Sequence, residues 1–518
     1  MRGVETVLFL VVVATVVATF ARRLRVPAPS LLVVAGVVVG LLPGVPAVQV
    51  TPEVISLVVL PPLLFAAGEE LPWRDLRAVG RPVAVLSVGL VLLSAAAVIG
   101  IAVAVTPLPV GMAFVLGAVL ASTDPVAVTA LARRLALPPR VQALIQAESL
   151  FNDATSLLLF RVALFLAVAG GAASWGRTVG EFALLAGGGV AVGVLTALGA
   201  FLIRRRTEDP VLETVISLVT PYAGYVAAES VGGSGVTAVV VASVLLGTQA
   251  ERLTTARIRL QVGAVYQTVV FLLESVVFGL IGLQLPALVR RVAGGGPWWL
   301  LQALAIAATL VVARLLLVFV LAALRQRRED GRISWQVPAV VSWAGARGVV
   351  PLAAALSLPV ATMDGSPLPA RDLVLLLTTA VIVLTLVVQG FTLAPLVRRA
   401  GIALDPADLR TEYGTARRKL AEAGLAHLDH LAETESAPAF VVDQLRAGWQ
   451  ARLDHIRGDT GEEAADWVRG IDYRALRREL IDIEVAELTR LFEAGEITDG
   501  TRRRIQRLLD LEHAGLED

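Results

Sequence analysis

In a chain that is 56% hydrophobic and only 17% charged, three short stretches gather side chains able to hold a cation. Residues 146–160 read QAESLFNDATSLLLF, with Glu148 four residues before Asn152 and Ser149 four before Asp153. That spacing places the four polar groups on adjacent turns of one helix face, while Leu150, Phe151, Leu157 and Leu158 take the opposite face. Residues 121–130, ASTDPVAVTA, set Asp124 beside Pro125, with Ser122, Thr123 and Thr129 as further oxygens. Proline has no N–H, so the carbonyl of Ala121 loses its helical partner there. Residues 342–353, SWAGARGVVPLA, repeat the device: Gly345 and Gly348 loosen a helix and Pro351 frees the carbonyl of Arg347.

At the centre of a bilayer a charged side chain costs roughly 2.5–3.5 kcal/mol, so each needs an aqueous cavity, a partner or a function. Asp124 and Asp153 are read as one shared cation site; the alternative is two acids buried separately with structural partners. Two empty, ionised carboxylates repel each other in a low dielectric, so a proton and a metal ion compete for the same charge. If the empty site is too costly to move across the membrane, it crosses only when loaded, and transport becomes counter-transport. Glu148 is expected to form an ion pair with Arg314, in LVVARLLLVF, with direct cation ligation as the other reading. Arg347 is placed to compensate either the carboxylates or the ends of broken helices. Glu213, near Arg204–Arg206, is taken as structural and close to the cytoplasmic surface; Glu274 has no partner assignable from sequence.

Thirteen segments are long and apolar enough to position these groups, given about 20 residues per span. They are 4–20, 28–43, 53–68, 83–105, 109–132, 141–168, 178–203, 210–228, 235–249, 261–284, 296–323, 335–359 and 371–397. Arg22, Arg23 and Arg25 follow the first apolar stretch instead of preceding it, so it is read as a helix and not a leader. Loops after odd-numbered spans hold nineteen arginines, those after even-numbered spans only Arg177, Arg290, Arg291 and Arg371. Positive loops stay cytoplasmic, which puts the N-terminus outside and the C-terminus inside. Two interrupted helices, one in each half, predict inverted repeats whose broken helices cross at midplane. The expected fold is an all-α membrane protein of about 13 transmembrane helices, with repeats at about 1–170 and 208–400 and a helical cytoplasmic tail at 401–518.

The chain has no cysteine, which excludes disulfides and thiolate-ligated metals. No cofactor is expected, and a net charge of +1 gives no reason to expect a nucleic-acid partner. All four histidines (His427, His430, His455 and His513) lie in the tail, so a membrane-embedded hydrolase has no histidine or cysteine to use, and no enzyme is expected. Those histidines are read as solvated helix surface, with pH sensing as the other reading. The best tail helix is expected between Tyr473 and Phe492. A cation uniporter or channel would also want buried acids. A transporter of organic substrates would want an aromatic-lined cavity, for which five tyrosines offer little.

The stretches ASTDPVAVTAL (121–131), AESLFNDATSLLLF (147–160) and AGARGVVPLA (344–353), together with Arg314, resemble the monovalent cation:proton antiporter-1 family. The family contains bacterial sodium/proton antiporters and is related to animal sodium/proton exchangers. The resemblance implies a homodimer in the plasma membrane, thirteen helices per protomer, and a six-helix transport domain that shifts like an elevator. It implies a sodium ion held by the residues at Asp153, Asp124, Ser149 and Thr123. It implies too that Asn152 supports the site, that Glu148 pairs with Arg314, and that exchange is electroneutral, one cation for one proton. Part of the tail, 473–512, resembles a helical extension found in one bacterial branch of the family.

The arginine alternation can be checked directly in a cysteine-free chain. Single cysteines placed at Gly232 or Gly233 should react with an impermeant thiol reagent from outside, and those at Arg204–Arg206 only from inside. The reverse pattern overturns the orientation.

Overall fold

The computed structural model describes residues 28–42, 55–69, 82–124, 137–168, 175–249, 254–292, 298–329, 335–362 and 366–403, with isolated positions before residue 82. Farther on it describes 406–434, 438–458, 465–494, 496 and 499–514. The chain divides into two compact units, Met1–Ala403 and Leu404–Asp518.

The first unit begins with α1 (Ala28–Leu41), α2 (Leu60–Glu69), α3 (Val91–Val105), α4 (Val110–Leu120) and α5 (Pro139–Val168). It continues with α6 (Trp175–Arg204), α7 (Pro210–Ser230), α8 (Gly235–Gly247) and α9 (Ala256–Val292). It closes with α10 (Trp298–Glu329), α11 (Gln336–Trp343), α12 (Val349–Leu356) and α13 (Arg371–Ala400). Local chemistry sets several boundaries. Asp209 caps α7 by accepting from the Val211 and Leu212 N–H groups, with Pro210 at the first helical position. Ser234 caps α8 in the same way through Thr237, and Gly401 ends α13 with a left-handed φ of 62°.

Among the described residues seven helices are long and apolar enough to cross a membrane: Pro82–Val105, which contains α3, and α5, α6, α7, α9, α10 and α13. The chain is an all-α, multi-span membrane protein. The difference from thirteen has physical origins. The first expected span, 4–20, lies outside the described residues apart from isolated positions. The second, third and ninth contain helices of only 14, 10 and 13 residues. The fifth stops at Leu120, before the proline expected to break it, and the twelfth is divided into α11 and α12. Pro351 does not make that division. It sits in the first turn of α12, where a missing N–H costs nothing, and the non-helical stretch is Ala344–Gly348.

Helices α6, α7 and α8 pack on one another and on α2, while α3, α4 and α5 form a group that α10–α13 join. Between these groups runs α5, touching α2, α6 and α8 on one side and α4, α11 and α12 on the other. Buried side chains from Leu32 to Leu386 form one continuous core. Glu213 is fully buried and takes a 2.8 Å hydrogen bond from Arg204 Nε, with Glu69 3.5 Å from the same guanidinium. The expectation of a structural role for Glu213 agrees with that pair. Glu274 lies half-buried on α9.

In the second unit, α14 (Pro406–Glu433) packs on α15 (Ala439–Gly458), and α16 (Ala465–Glu493) packs on α17 (Asp499–Ala514). Ile481, Leu488 and Leu509 make the small core of the latter pair, and Arg477 reaches both Glu484 and Glu512. His427 and His430 are exposed on α14.

The tightest crossing, α1 against α9, depends on glycine. A methyl group at Gly36 would run into the Gly279 carbonyl, and one at Gly282 into the Val33 carbonyl. Small residues allow such close backbone approach in membranes. Gly282→Val should therefore cost at least about 1–3 kcal/mol through overpacking, seen as a lowered melting temperature in detergent; an unchanged one would mean the two helices separate freely.

Candidate functional site

The site is built where α4 ends. After Leu120 the chain leaves the helix, and Ser122, Thr123 and Asp124 run in non-helical backbone, all buried. Helix α5 ties this strand of chain down with three side chains and the last turn of α4 with a fourth. Ser149 donates to the Thr123 carbonyl at 2.5 Å, and Asn152 donates to Thr123 Oγ1 at 3.2 Å. Asp153 accepts from the Ser122 hydroxyl, and Ser156 donates to the Ala118 carbonyl at 2.7 Å. Ser149, Asn152 and Asp153 belong to the polar ridge legible in the sequence, and Ser156 extends the same helix face by one turn.

The second break meets the first. Asp124 N–H donates to the Ala346 carbonyl at 2.8 Å, and Asp124 Oδ2 accepts from Val349 N–H at 3.0 Å. Val349 opens α12, so Asp124 caps that helix with an ionisable group at its positive end. A methyl at Gly348 would overlap the Asp124 carboxylate, which makes glycine obligatory there. Arg347 runs the other way: its Nε donates to the Leu120 carbonyl at 2.8 Å, at the negative end of α4, and its Nη1 turns back to the Gly345 carbonyl. Of the two roles open to Arg347, neutralising a helix end is the one with a hydrogen bond behind it. Thr385 on α13 accepts from the Arg347 N–H at 3.3 Å.

Glu148 and Arg314 form a two-pronged pair, at 2.8 Å from Nη1 to Oε1 and 2.6 Å from Nη2 to Oε2. Both are buried, and the planar guanidinium matches both carboxylate oxygens. Arg314 also donates to the Val341 carbonyl near the end of α11, 3.1 Å from Nη2. A methyl at Gly345 would come within 2.5 Å of its Nε. Asn152 bridges the pair to the break, since its Nδ2 lies 3.2 Å from both Glu148 Oε1 and Thr123 Oγ1. Two buried atoms here have no hydrogen-bond partner among the described residues: Asn152 Oδ1 and Arg347 Nη2.

Every sequence-derived site residue, Asp124, Asp153, Ser149, Thr123, Asn152, Glu148, Arg314 and Arg347, falls into this one region. Pro125 and Thr129 lie outside the described residues. Among the described residues no three His, Cys, Asp or Glu side chains gather into a metal cluster.

Residues 10–399 match the family profile described as sodium/hydrogen exchanger, transmembrane. The chain belongs to the sodium/hydrogen exchanger family. This is a transporter family and not an enzyme family. A Na+/H+ exchanger of Mycobacterium tuberculosis is 33% identical over 533 residues, covering 100% of this chain and 96% of the relative. The Na+/H+ antiporter ApNhaP of Aphanothece halophytica is 30% identical over 504 residues, covering 95% of this chain and 93% of its own. The solved sodium proton antiporter MjNhaP1 of Methanocaldococcus jannaschii has the same fold, with a TM-score of 0.62 at 20% identity, over 77% of this chain and 99% of that one. For a sodium/hydrogen exchanger, the region where α4 and α12 meet is the part of the molecule that joins backbone breaks to buried acids.

Sequence reasoning missed the carbonyl partners of Arg314 and Arg347, which carry no residue-type signal. It also passed over Arg161 and Glu229, joined by a 2.5 Å ion pair although Arg161 stands inside an expected span. Arg314→Ala should leave Glu148 buried without its partner, costing about 3–5 kcal/mol and lowering folded yield and melting temperature. An Arg314→Ala protein as stable as its parent but inactive would move Arg314 from architecture to transport.

Proposed function

We propose that this chain is a secondary antiporter exchanging one monovalent cation, sodium, for one proton across the plasma membrane. The observation that carries the stoichiometry is the charge count where the broken helices meet. Three carboxylates, Asp124, Asp153 and Glu148, face two guanidiniums, Arg314 and Arg347. The fully ionised, empty site is one negative charge in excess, and one sodium ion or one proton neutralises it. An uncompensated charge is expensive in a low-dielectric interior, so the site crosses only when carrying one or the other.

Asp153 is the group over which proton and cation compete. Asp124, Ser149 and Thr123 supply further oxygens, the ligand type that hard cations take. Asn152 Oδ1, which has no hydrogen-bond partner among the described residues, is a neutral acceptor at the same place. The Glu148–Arg314 pair holds the frame, and Arg347 and Asp124 hold the helix ends. The antiporters named above support the choice of sodium and proton.

The finer architecture is part of the same proposal: thirteen spans in residues 1–400, two inverted repeats, an outside N-terminus, a cytoplasmic 401–518 unit and assembly as a homodimer. Its support is the arginine alternation, one helix break in each half of the membrane unit, and the family resemblance.

Because each half-cycle carries the same net charge, the membrane potential, worth about 2.3 kcal/mol per charge per 100 mV, does no net work. In proteoliposomes a sodium gradient should drive proton flux that persists when potassium and valinomycin clamp the potential, and should generate no potential when unclamped. Asp153→Asn should fold and be silent. A substantial sodium-dependent current refutes one-for-one exchange.

A further inference from the structure

A cavity of about 520 Å3 opens between α5, α2, the turn joining α7 to α8, and α12. At about 30 Å3 per molecule it has room for on the order of fifteen waters. Its wall on α5 begins at Leu157, one turn past Asp153, and on α12 at Ala353, one turn past the Val349 that Asp124 caps. One turn is about 5.4 Å, so on both helices the cavity starts a single turn from the site.

Among the described residues Arg161 and Glu229 are the charged side chains of its wall, with Ser234, Ser357 and Tyr225 as polar neighbours. They pair at 2.5 Å and each remains about one-third exposed, at 35% and 32%. The same Glu229 oxygen accepts from Gly235 N–H, the first residue of α8, at 3.0 Å. Glu229 is thus anchored to the α7–α8 turn, whereas Arg161 rides on α5, the helix that carries Asp153.

We infer that this cavity is the outer vestibule of the exchanger, where a hydrated monovalent cation is received at the Glu229 carboxylate in competition with Arg161. The inference rests on the antiport reading above. A cation arriving at Glu229 takes over the charge that Arg161 neutralises, and so releases α5 from the α7–α8 turn. When the cation moves on to Asp153, Arg161 returns to Glu229 and the connection is restored. A pair one-third exposed suits this exchange of partners, because water and salt already screen it.

Competition makes a prediction that mutual support does not: the two members of one ion pair act in opposite directions. In full-length protein oriented in proteoliposomes, Arg161→Gln should lower the apparent KM for sodium on the face bearing Gly232–Gly233. Glu229→Gln should raise it. Each shift is expected at about two- to fivefold, the range open to an exposed pair, with KM on the other face unchanged; Arg161→Lys should stay near the parent value. If both variants shift KM in the same direction, alter both faces alike or leave KM unchanged, the vestibule assignment is overturned. Absence of sodium-driven proton flux in the parent protein would remove the antiport reading itself, and this inference with it.

Discussion

A helix that stops at membrane depth exposes carbonyl groups at one end and N–H groups at the other, with no water to receive them. Here side chains brought from distant parts of the chain meet those groups. Arg347 takes the Leu120 carbonyl at the end of α4, Arg314 takes the Val341 carbonyl near the end of α11, and Asp124 takes the Val349 N–H at the start of α12. In each case the sign of the charge matches the helix dipole it faces. Each break is thus stabilised by charges that the other break, or a neighbouring helix, supplies.

This arrangement explains why so many ionised groups collect where charge is least welcome. Arg314 needs Glu148 because its charge would otherwise be uncompensated, and Glu148 in turn orients Asn152 toward Thr123. Asp124 is held by backbone within the second break, through Ala346, and at the start of the helix beyond it, through Val349. Asp153 differs. Its described hydrogen bond comes from a single hydroxyl, Ser122, and no guanidinium among the described residues is bonded to it. Among the three acids it is the one that, in the described residues, meets neither a guanidinium nor a helix end, which suits a site shared by a proton and a cation.

Much of this was legible before any coordinates. Four-residue spacing identified the Glu148–Asn152 and Ser149–Asp153 ridge, and the cost of burying a charge was enough to pair Glu148 with Arg314 across 166 residues. Backbone partners were not legible, because any residue can present the Leu120 or Val341 carbonyl. Of the three residues that mark the second break in the sequence, Gly345 and Gly348 make the room for it, whereas Pro351 lies in the first turn of the helix beyond it. Glycine's role there could not be read from local flexibility, since it is set by the Arg314 and Asp124 side chains lying where a Cβ would go. Span counting from hydropathy also overlooked how short a helix becomes when a break falls within it, as in α4, α11 and α12.

The central claim is that one proton and one cation are alternative occupants of a site with a single excess negative charge. Calorimetric titration of sodium into the purified protein, repeated in buffers of different ionisation enthalpy, counts the protons released for each cation bound. The account predicts a count that rises toward one as pH is lowered and goes no higher, with sodium binding lost in Asp153→Asn. A count climbing toward two, or sodium binding that survives Asp153→Asn, would contradict it.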